Sequence, residues 1–221
     1  MHDAGVRASP TLERTKDPDA TRARLLECAF QEIYEHGYGG SSVARILSKT
    51  GLTKGALYYH FDSKAALAHA VIAEVIRGWV VDGWLAPLDG SHDPVSTLIE
   101  TYRAMMGSLS EEQLAYGCPL NNLTQELANE DEGFREPLLE VFDLWRRGIA
   151  AALERGQALG TVRADISPNA TGTFIVATIE GLFGTAKSTR DRELVMAAAA
   201  VLLQFLETLK PTATNRASLN T

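Results

Sequence analysis

Between Leu52 and Lys64 the chain reads LTKGALYYHFDSK, with four rings in a row at Tyr58, Tyr59, His60 and Phe61. A helical core takes rings at spacings of three or four and a strand takes them alternately, so some of these four must face outward. On a helix starting at Lys54, Leu57 and Phe61 share one face a turn apart. Tyr59 lies ~200° from Leu57 and points away from the core. Tyr58 falls on a flank, and His60 sits nearer the core, where a packing or structural hydrogen-bonding role fits. An outward phenol offers a flat apolar body and a hydroxyl that donates to a phosphate oxygen. Lys54 adds a positive charge to the same surface, and Gly55 with Ala56 keeps the helix start thin enough to approach base edges. Lys64 and the N-termini of the flanking helices suit phosphates. This is chemistry for recognising a polyanion.

Signatures of bond-making chemistry are missing. The histidines at 2, 36, 60, 69 and 92 show no metal-binding spacing, and the chain has neither a glycine-rich phosphate loop nor a G-x-S-x-G elbow. No enzymatic activity, metal or cofactor is expected. Cys28 and Cys118 are too few for a disulfide framework and read as reduced thiols. No segment reaches the ~18 consecutive apolar residues of a membrane span, and the N-terminus carries no apolar export signal, so the expected location is cytoplasmic. The net charge of −7 argues against a protein that coats nucleic acid over its whole surface. Its distribution is uneven: residues 21–67 hold six Lys/Arg against four Asp/Glu, and residues 68–221 hold twelve against twenty. A mildly basic head on an acidic body implies that only the head meets the polyanion.

The elements that position these residues read as all-α. Residues 1–20 carry no apolar period and are expected to form a disordered arm, whose Arg7, Arg14 and Lys16 are better suited to a free tail than to a minor groove. A first helix is predicted over 22–36, capped by Thr21, with Leu25, Leu26, Ala29, Phe30 and Ile33 as its stripe and Gly37 as its stop. A short helix follows from Ser42 or Val43 to Thr50, closed by Gly51. Thr53 caps a third from Lys54, and Asp62 or Ser63 caps a long fourth to about residue 85. Five more are predicted near 94–109, 118–129, 133–158, 168–187 and 191–209, about nine in all, before a frayed tail over 211–221.

Two short helices joined by a glycine turn and preceded by a third make a helix-turn-helix, whose second helix lies in the major groove of DNA. The segments TKGALYYHFDSKAAL, TRARLLECAF and GYGGSSVARI, with an all-helical remainder, resemble the tetracycline-repressor (TetR/AcrR) family of bacterial transcriptional regulators. The close resemblance covers about 21–67, and Leu47 departs from it at a position usually held by alanine. It implies a DNA-binding domain at 21–67 and a ligand-binding and dimerisation domain at 68–210. It also implies that Lys54, Gly55, Ala56 and Tyr58 face bases, that Thr53, Tyr59 and Lys64 hold phosphates, and that Ser42 and Arg45 meet the DNA backbone. Repression is the function the family favours.

Such proteins usually act as two-fold dimers on palindromic operators. The segment RELVMAAAAVLLQFLETLK is apolar around most of its circumference, which requires cover on both sides. Its candidate partner, NATGTFIVATIEGLFGTAK, carries Gly172, Gly181 and Gly184, each costing ~1 kcal/mol relative to alanine in a helix interior. Close approach in a homodimeric four-helix bundle, through 168–187 and 191–209, would explain them. An effector pocket is expected among the middle helices, with Trp79, Trp84, Tyr102, Met105, Met106, Phe142, Trp145 and Phe174 as apolar walls. Cys118, Asn122 and Gln125, in YGCPLNNLTQELANE, are its expected polar groups. Those walls suit an apolar or aromatic small molecule, which would shift the spacing of the two recognition helices through the lever at 63–85. Two alternatives are a thiol-based redox sensor using Cys118 at a helix N-terminus and a helical binding module without DNA.

Overall fold

In the computed structural model, which describes residues 17–211, the chain is helical from its first described turn. Arg7, Arg14, Lys16 and the tail beyond Pro211 lie outside the described residues. Helix α1 spans Pro18–Gly40, so it starts before the expected Thr21 cap and takes in residues 18–20 of the expected arm. The reason is local. The Asp17 carboxylate accepts from the backbone N–H groups of Asp19 and Ala20 at 3.0 and 3.3 Å, Pro18 occupies a position that needs no N–H donor, and Asp19 faces the positive end of the helix. Thr21 instead donates its hydroxyl to the Asp17 carbonyl at 2.8 Å. Gly37, at φ +73°, kinks the helix rather than ending it, and one further turn follows.

Helices α2 (Val43–Thr50) and α3 (Lys54–His60) complete the head. Gly51 turns the chain between them at φ +65°, and Thr53 caps α3 by accepting from the Ala56 N–H at 3.2 Å. Leu25, Leu26, Phe30, Ile46, Leu57 and Phe61 form the head's buried core, as the periodicity predicts. One member of the buried stripe is unexpected. Glu32 is fully buried, and its carboxylate accepts from the Ser42 N–H at 3.1 Å and from Arg45 Nε at 2.6 Å, with Lys49 Nζ 3.4 Å away. The crossing of α1 over α2 is therefore fixed by charge as well as by packing.

Helix α4 runs over 64–85, capped by Ser63, whose hydroxyl accepts from the Ala66 N–H at 3.0 Å. It contains two π-helical stretches, Val71–Ile76 and Val81–Leu85, separated by a short α-helical segment. Arg22 of α1 grips Glu74 of α4 through two hydrogen bonds of 2.6 and 2.5 Å. The body follows as α5 (Pro94–Ser108), α6 (Glu111–Tyr116), α7 (Pro119–Leu127), α8 (Glu132–Ala158), α9 (Pro168–Thr189) and α10 (Arg192–Glu207). The nine expected helices are present. Helix α6 is an addition, set by reciprocal hydrogen bonds between Ser110 and Gln113. Among the described residues no helix is long and apolar enough to cross a membrane.

The three glycines of α9 divide. A Cβ on Gly172 would come within 2.7 Å of the Arg146 carbonyl, so this glycine serves the packing of α9 on α8 inside one chain. It is buried in that packing and not free for the close approach between chains expected of it. A Cβ on Gly181 or Gly184 would meet no atom of the described residues.

Burial pushes the Glu32 carboxyl up, but the Arg45 guanidinium, the Ser42 N–H and the Lys49 ammonium outweigh it and hold the group below the usual carboxylate range. A carboxyl depressed in the folded state stabilises fully above its unfolded pKa of about 4.3, and that stabilisation is lost as pH falls through the lower folded value. Glu32→Gln is expected to cost ~2 kcal/mol at pH 7, below the figure for a fully buried pair because Arg45 is half exposed. Urea unfolding of both proteins between pH 7 and pH 3 should show the gap closing at the acid end.

Candidate nucleic-acid interface and ligand cavity

Helix α3 presents its surface residues as the periodicity requires. Leu57 is fully buried and Phe61 nearly so, whereas Tyr58 is 41% exposed and Tyr59 78% exposed. The Lys54 ammonium lies 5.7 Å from the centre of the Tyr58 ring. Thr53, Lys54 and Gly55 are exposed beside them, and Ala56 is half-buried. Nothing inside the chain demands glycine at 55, since an added Cβ would meet only the Thr53 hydroxyl, at 3.9 Å. Ser42 is half-exposed at the N-terminus of α2, and its side chain makes no capping bond.

Two residues expected at the DNA backbone are engaged inside the chain. The Lys64 ammonium donates to the carbonyls of Tyr38 and Ser41 at 2.5 and 2.8 Å and lies 4.5 Å from the centre of the Tyr38 ring. The Arg45 guanidinium donates to Glu32 and, at 2.5 Å, to the Gly40 carbonyl. Carbonyls left over at a helix end draw both cations inward. From the body, the Glu126 carboxylate of α7 accepts from the N–H groups of Tyr38 and Gly39 at 2.8 and 2.6 Å.

A cavity of about 250 Å³ opens in the body, walled by α4, α5, α7, α8 and α9 with Tyr34 of α1. It brings together five of the eleven residues expected to line a ligand pocket: Trp79, Trp84, Met105, Cys118 and Trp145. The others are placed elsewhere. Tyr102 and Met106 are buried behind the wall, beside a void of only about 10 Å³. Asn122 donates its amide to the Tyr116 carbonyl at 2.7 Å and accepts from Lys187 at 2.9 Å, so both of its ends are occupied. Gln125 is exposed, and with Asn122 it borders a separate open cleft of about 660 Å³ between α1 and α7. Phe142 is half-buried against the core. Phe174 is 50% exposed on the outer face of α9, edge-on to Phe205 at 4.8 Å.

The sequence reading did not single out Glu180. It is 6% exposed, lines the cavity beside Cys118, and neither carboxylate oxygen has a hydrogen-bond partner among the described residues. Burial pushes its pKa up to about 7, against a smaller downward pull from the Cys118 thiol beside it. The available signal was that Glu180 is the single acid between Pro168 and Thr189. Burial, followed by the neighbouring Glu180, also pushes the Cys118 thiol well above its ordinary range. The N–H groups of Asn121 and Leu120 pull it down but do not prevail. The thiolate needed for redox sensing is therefore disfavoured.

Helix α7 touches both sites. Its N-terminal residues Cys118, Pro119 and Leu120 line the cavity, and Glu126 near its other end holds the last turn of α1. Tyr34 of α1 borders the cavity and donates its hydroxyl to the Gly117 carbonyl at 2.7 Å.

Residues 25–71 match the family of bacterial regulatory proteins of the tetR type, and residues 94–202 match a tetracyclin repressor-like C-terminal domain. An uncharacterized HTH-type transcriptional regulator in the lacX 3' region of Lactococcus lactis is 33% identical over 171 residues, covering 77% of this chain and 85% of that protein. The HTH-type transcriptional repressor DhaR of a Mycobacterium species is 30% identical, over 78% of this chain and 85% of its own. A TetR transcriptional regulator from Chloroflexus aurantiacus, solved by crystallography, superposes with a TM-score of 0.77 at 27% identity, over 90% of this chain and all of that one.

Lys64→Ala removes two charge-assisted hydrogen bonds from the end of α1 and is expected to cost ~2 kcal/mol in urea unfolding. Tyr59→Ala, at an exposed position, should stay within ~0.5 kcal/mol of the parent.

Proposed function

The chain belongs to the tetR family of bacterial regulatory proteins and is a ligand-responsive, DNA-binding regulator of transcription, and from that premise we propose that it is a homodimeric repressor released from its operator by a small molecule. In this proposal the head, residues 21–67, binds DNA, and the body, residues 68–210, binds ligand and partner. The observation that carries it is the outer face of α3, where Tyr58, Tyr59, Lys54 and Gly55 stand exposed, their side chains touching one another and His60 and not the core. Set in a major groove, Lys54, Gly55, Ala56 and Tyr58 would approach base edges, while Thr53, Tyr59 and Ser42 would meet phosphates. Arg45 and Lys64 would act indirectly, by holding the turn from which α2 starts.

The dimer reading rests on two exposed seams. Phe174, Ala177, Gly181 and Gly184 on α9 and Leu194, Ala197, Val201 and Gln204 on α10 are all exposed and follow one another at spacings of three and four. This is the repeat of a helix packing against neighbours in a bundle. The space beyond Gly181 and Gly184 suits a partner's helices. Two copies would then present their α3 helices to successive grooves of a palindrome, ~34–36 Å apart.

Ligand in the aromatic cavity would act on the head along two routes, α4 and α7. It would favour a conformer in which the two α3 helices no longer match the grooves, and it can do so only by binding that conformer more tightly. A relative described as a repressor supports the direction of control. The site of action is the cytoplasm, where bacterial DNA lies.

Selection from a random duplex library with the purified chain tests the reading: a palindrome should emerge, and its affinity should fall steeply with salt. Recovery of no enriched sequence at low salt would count against it. Tyr59→Ala should weaken binding to the selected duplex by about tenfold in a mobility shift, with its unfolding midpoint unchanged. Val201→Glu places a charge in the seam and should give a monomer by light scattering, with loss of the two-fold complex.

A further inference from the structure

Glu180 lies on the wall of the body cavity beside the Cys118 thiol, and among the described residues neither carboxylate oxygen has a hydrogen-bond partner, although nearly every buried polar group in a folded protein finds one. Among the described residues no lysine, arginine or histidine borders the cavity to answer it. Around it stand Trp79, Trp84, Trp145, Tyr34 and Phe183, and the Trp84 and Trp145 rings are 5.1 Å apart with a 45° tilt between their planes. Aromatic faces carry partial negative charge and attract cations, most strongly where water is excluded. An anion would meet a carboxyl group and ring faces with no positive group to pair with, which is the costly case for a buried charge. A neutral apolar ligand would leave Glu180 unsatisfied.

We propose that this cavity selects an organic cation, an amine or quaternary ammonium carrying about one ring, whose charged nitrogen sits against Glu180 within the aromatic wall. As an effector class this rests on the reading of the chain as a ligand-responsive regulator. As a binding site it stands on the cavity alone. The volume of about 250 Å³ accommodates a ligand of that size.

All three tryptophans of the chain border the cavity, so intrinsic fluorescence reports its occupancy. The probes are phenyltrimethylammonium, its neutral carbon isostere tert-butylbenzene, and benzoate, each titrated into the full chain. The ammonium should bind about tenfold or more tightly than tert-butylbenzene, and benzoate should not compete. In Glu180→Gln, checked for folding by its unfolding midpoint, the preference for the ammonium over tert-butylbenzene should fall by about fivefold or more, leaving only what the ring faces supply. Equal binding of these two by the parent chain overturns the proposal without recourse to any variant. So does a preference that survives undiminished in Glu180→Gln, and so does the absence of a response to the ammonium. Adding the probes to the DNA complex separates the two readings. Ammonium that binds tightly but releases no DNA upholds the cation site and removes its regulatory role. Tert-butylbenzene that binds equally and releases DNA keeps the regulatory cavity and removes the cation.

Discussion

The turn at 38–42 is where four helices are tied together by charge. Six of its backbone polar groups are held by four ionised side chains: the N–H groups of Tyr38 and Gly39 by Glu126, the carbonyls of Tyr38 and Ser41 by Lys64, the Gly40 carbonyl by Arg45 and the Ser42 N–H by Glu32. Hydrogen bonds to ionised groups are the strong ones, and they are directional. The pose of α2, and through the Gly51 turn that of α3, is thus set by side chains from α1, α4 and α7. Two of those helices, α4 and α7, also wall the cavity, and the third, α1, borders it through Tyr34. In the proposed mechanism, an occupant that displaced either wall helix would act on the exposed face of α3 through this turn.

The composition of the cavity is not that of a plain core. Its rings come from α1, α4, α8 and α9, its one carboxyl group lacks a hydrogen-bond partner among the described residues, and burial pushes the neighbouring thiol well above its ordinary range. A core optimised for stability alone would have filled the space and replaced Glu180 with an apolar residue. Keeping an unsatisfied acid against aromatic walls sacrifices stability in the empty protein, and a ligand that paired with Glu180 would recover it. Such a ligand would shift the equilibrium between conformers to the extent that the pairing is better in one of them.

Much of this was legible in the sequence, for reasons that differ by region. The head was read almost residue by residue, because a seven-residue helix with Leu57 and Phe61 inward leaves Tyr59 only one direction to face. Helix starts were less certain. Thr21 is a good cap in isolation, but Asp17 followed by Pro18 and Asp19 is a better one, and the chain takes the earlier start. The charged residues were the least legible. Lys64 and Arg45 read as phosphate ligands in the sequence, which does not show that the carbonyls at the end of α1 also lie within their reach. Asn122 is likewise engaged inside the chain, since the Tyr116 carbonyl and Lys187 meet it from different parts of the sequence. Phe174 carries no mark in the sequence that separates an outer seam from an inner wall. Glu180 was the reverse case, a lone acid in an apolar helix that did mark the cavity.

The two π-helical stretches of α4 bear on the kind of machine part this helix is. Each fits an extra residue into a turn, so the residues beyond it are rotated by ~100° relative to an uninterrupted α-helix. A straight α-helical rod passes on push and tilt. A helix interrupted in this way also has a screw coordinate, because moving or removing one extra residue turns everything beyond it. Trp84 sits within the second stretch and borders the cavity, while Glu74, tied to Arg22 of the head, sits within the first. The helix that joins the cavity to the head therefore carries such an interruption at each of its two contacts.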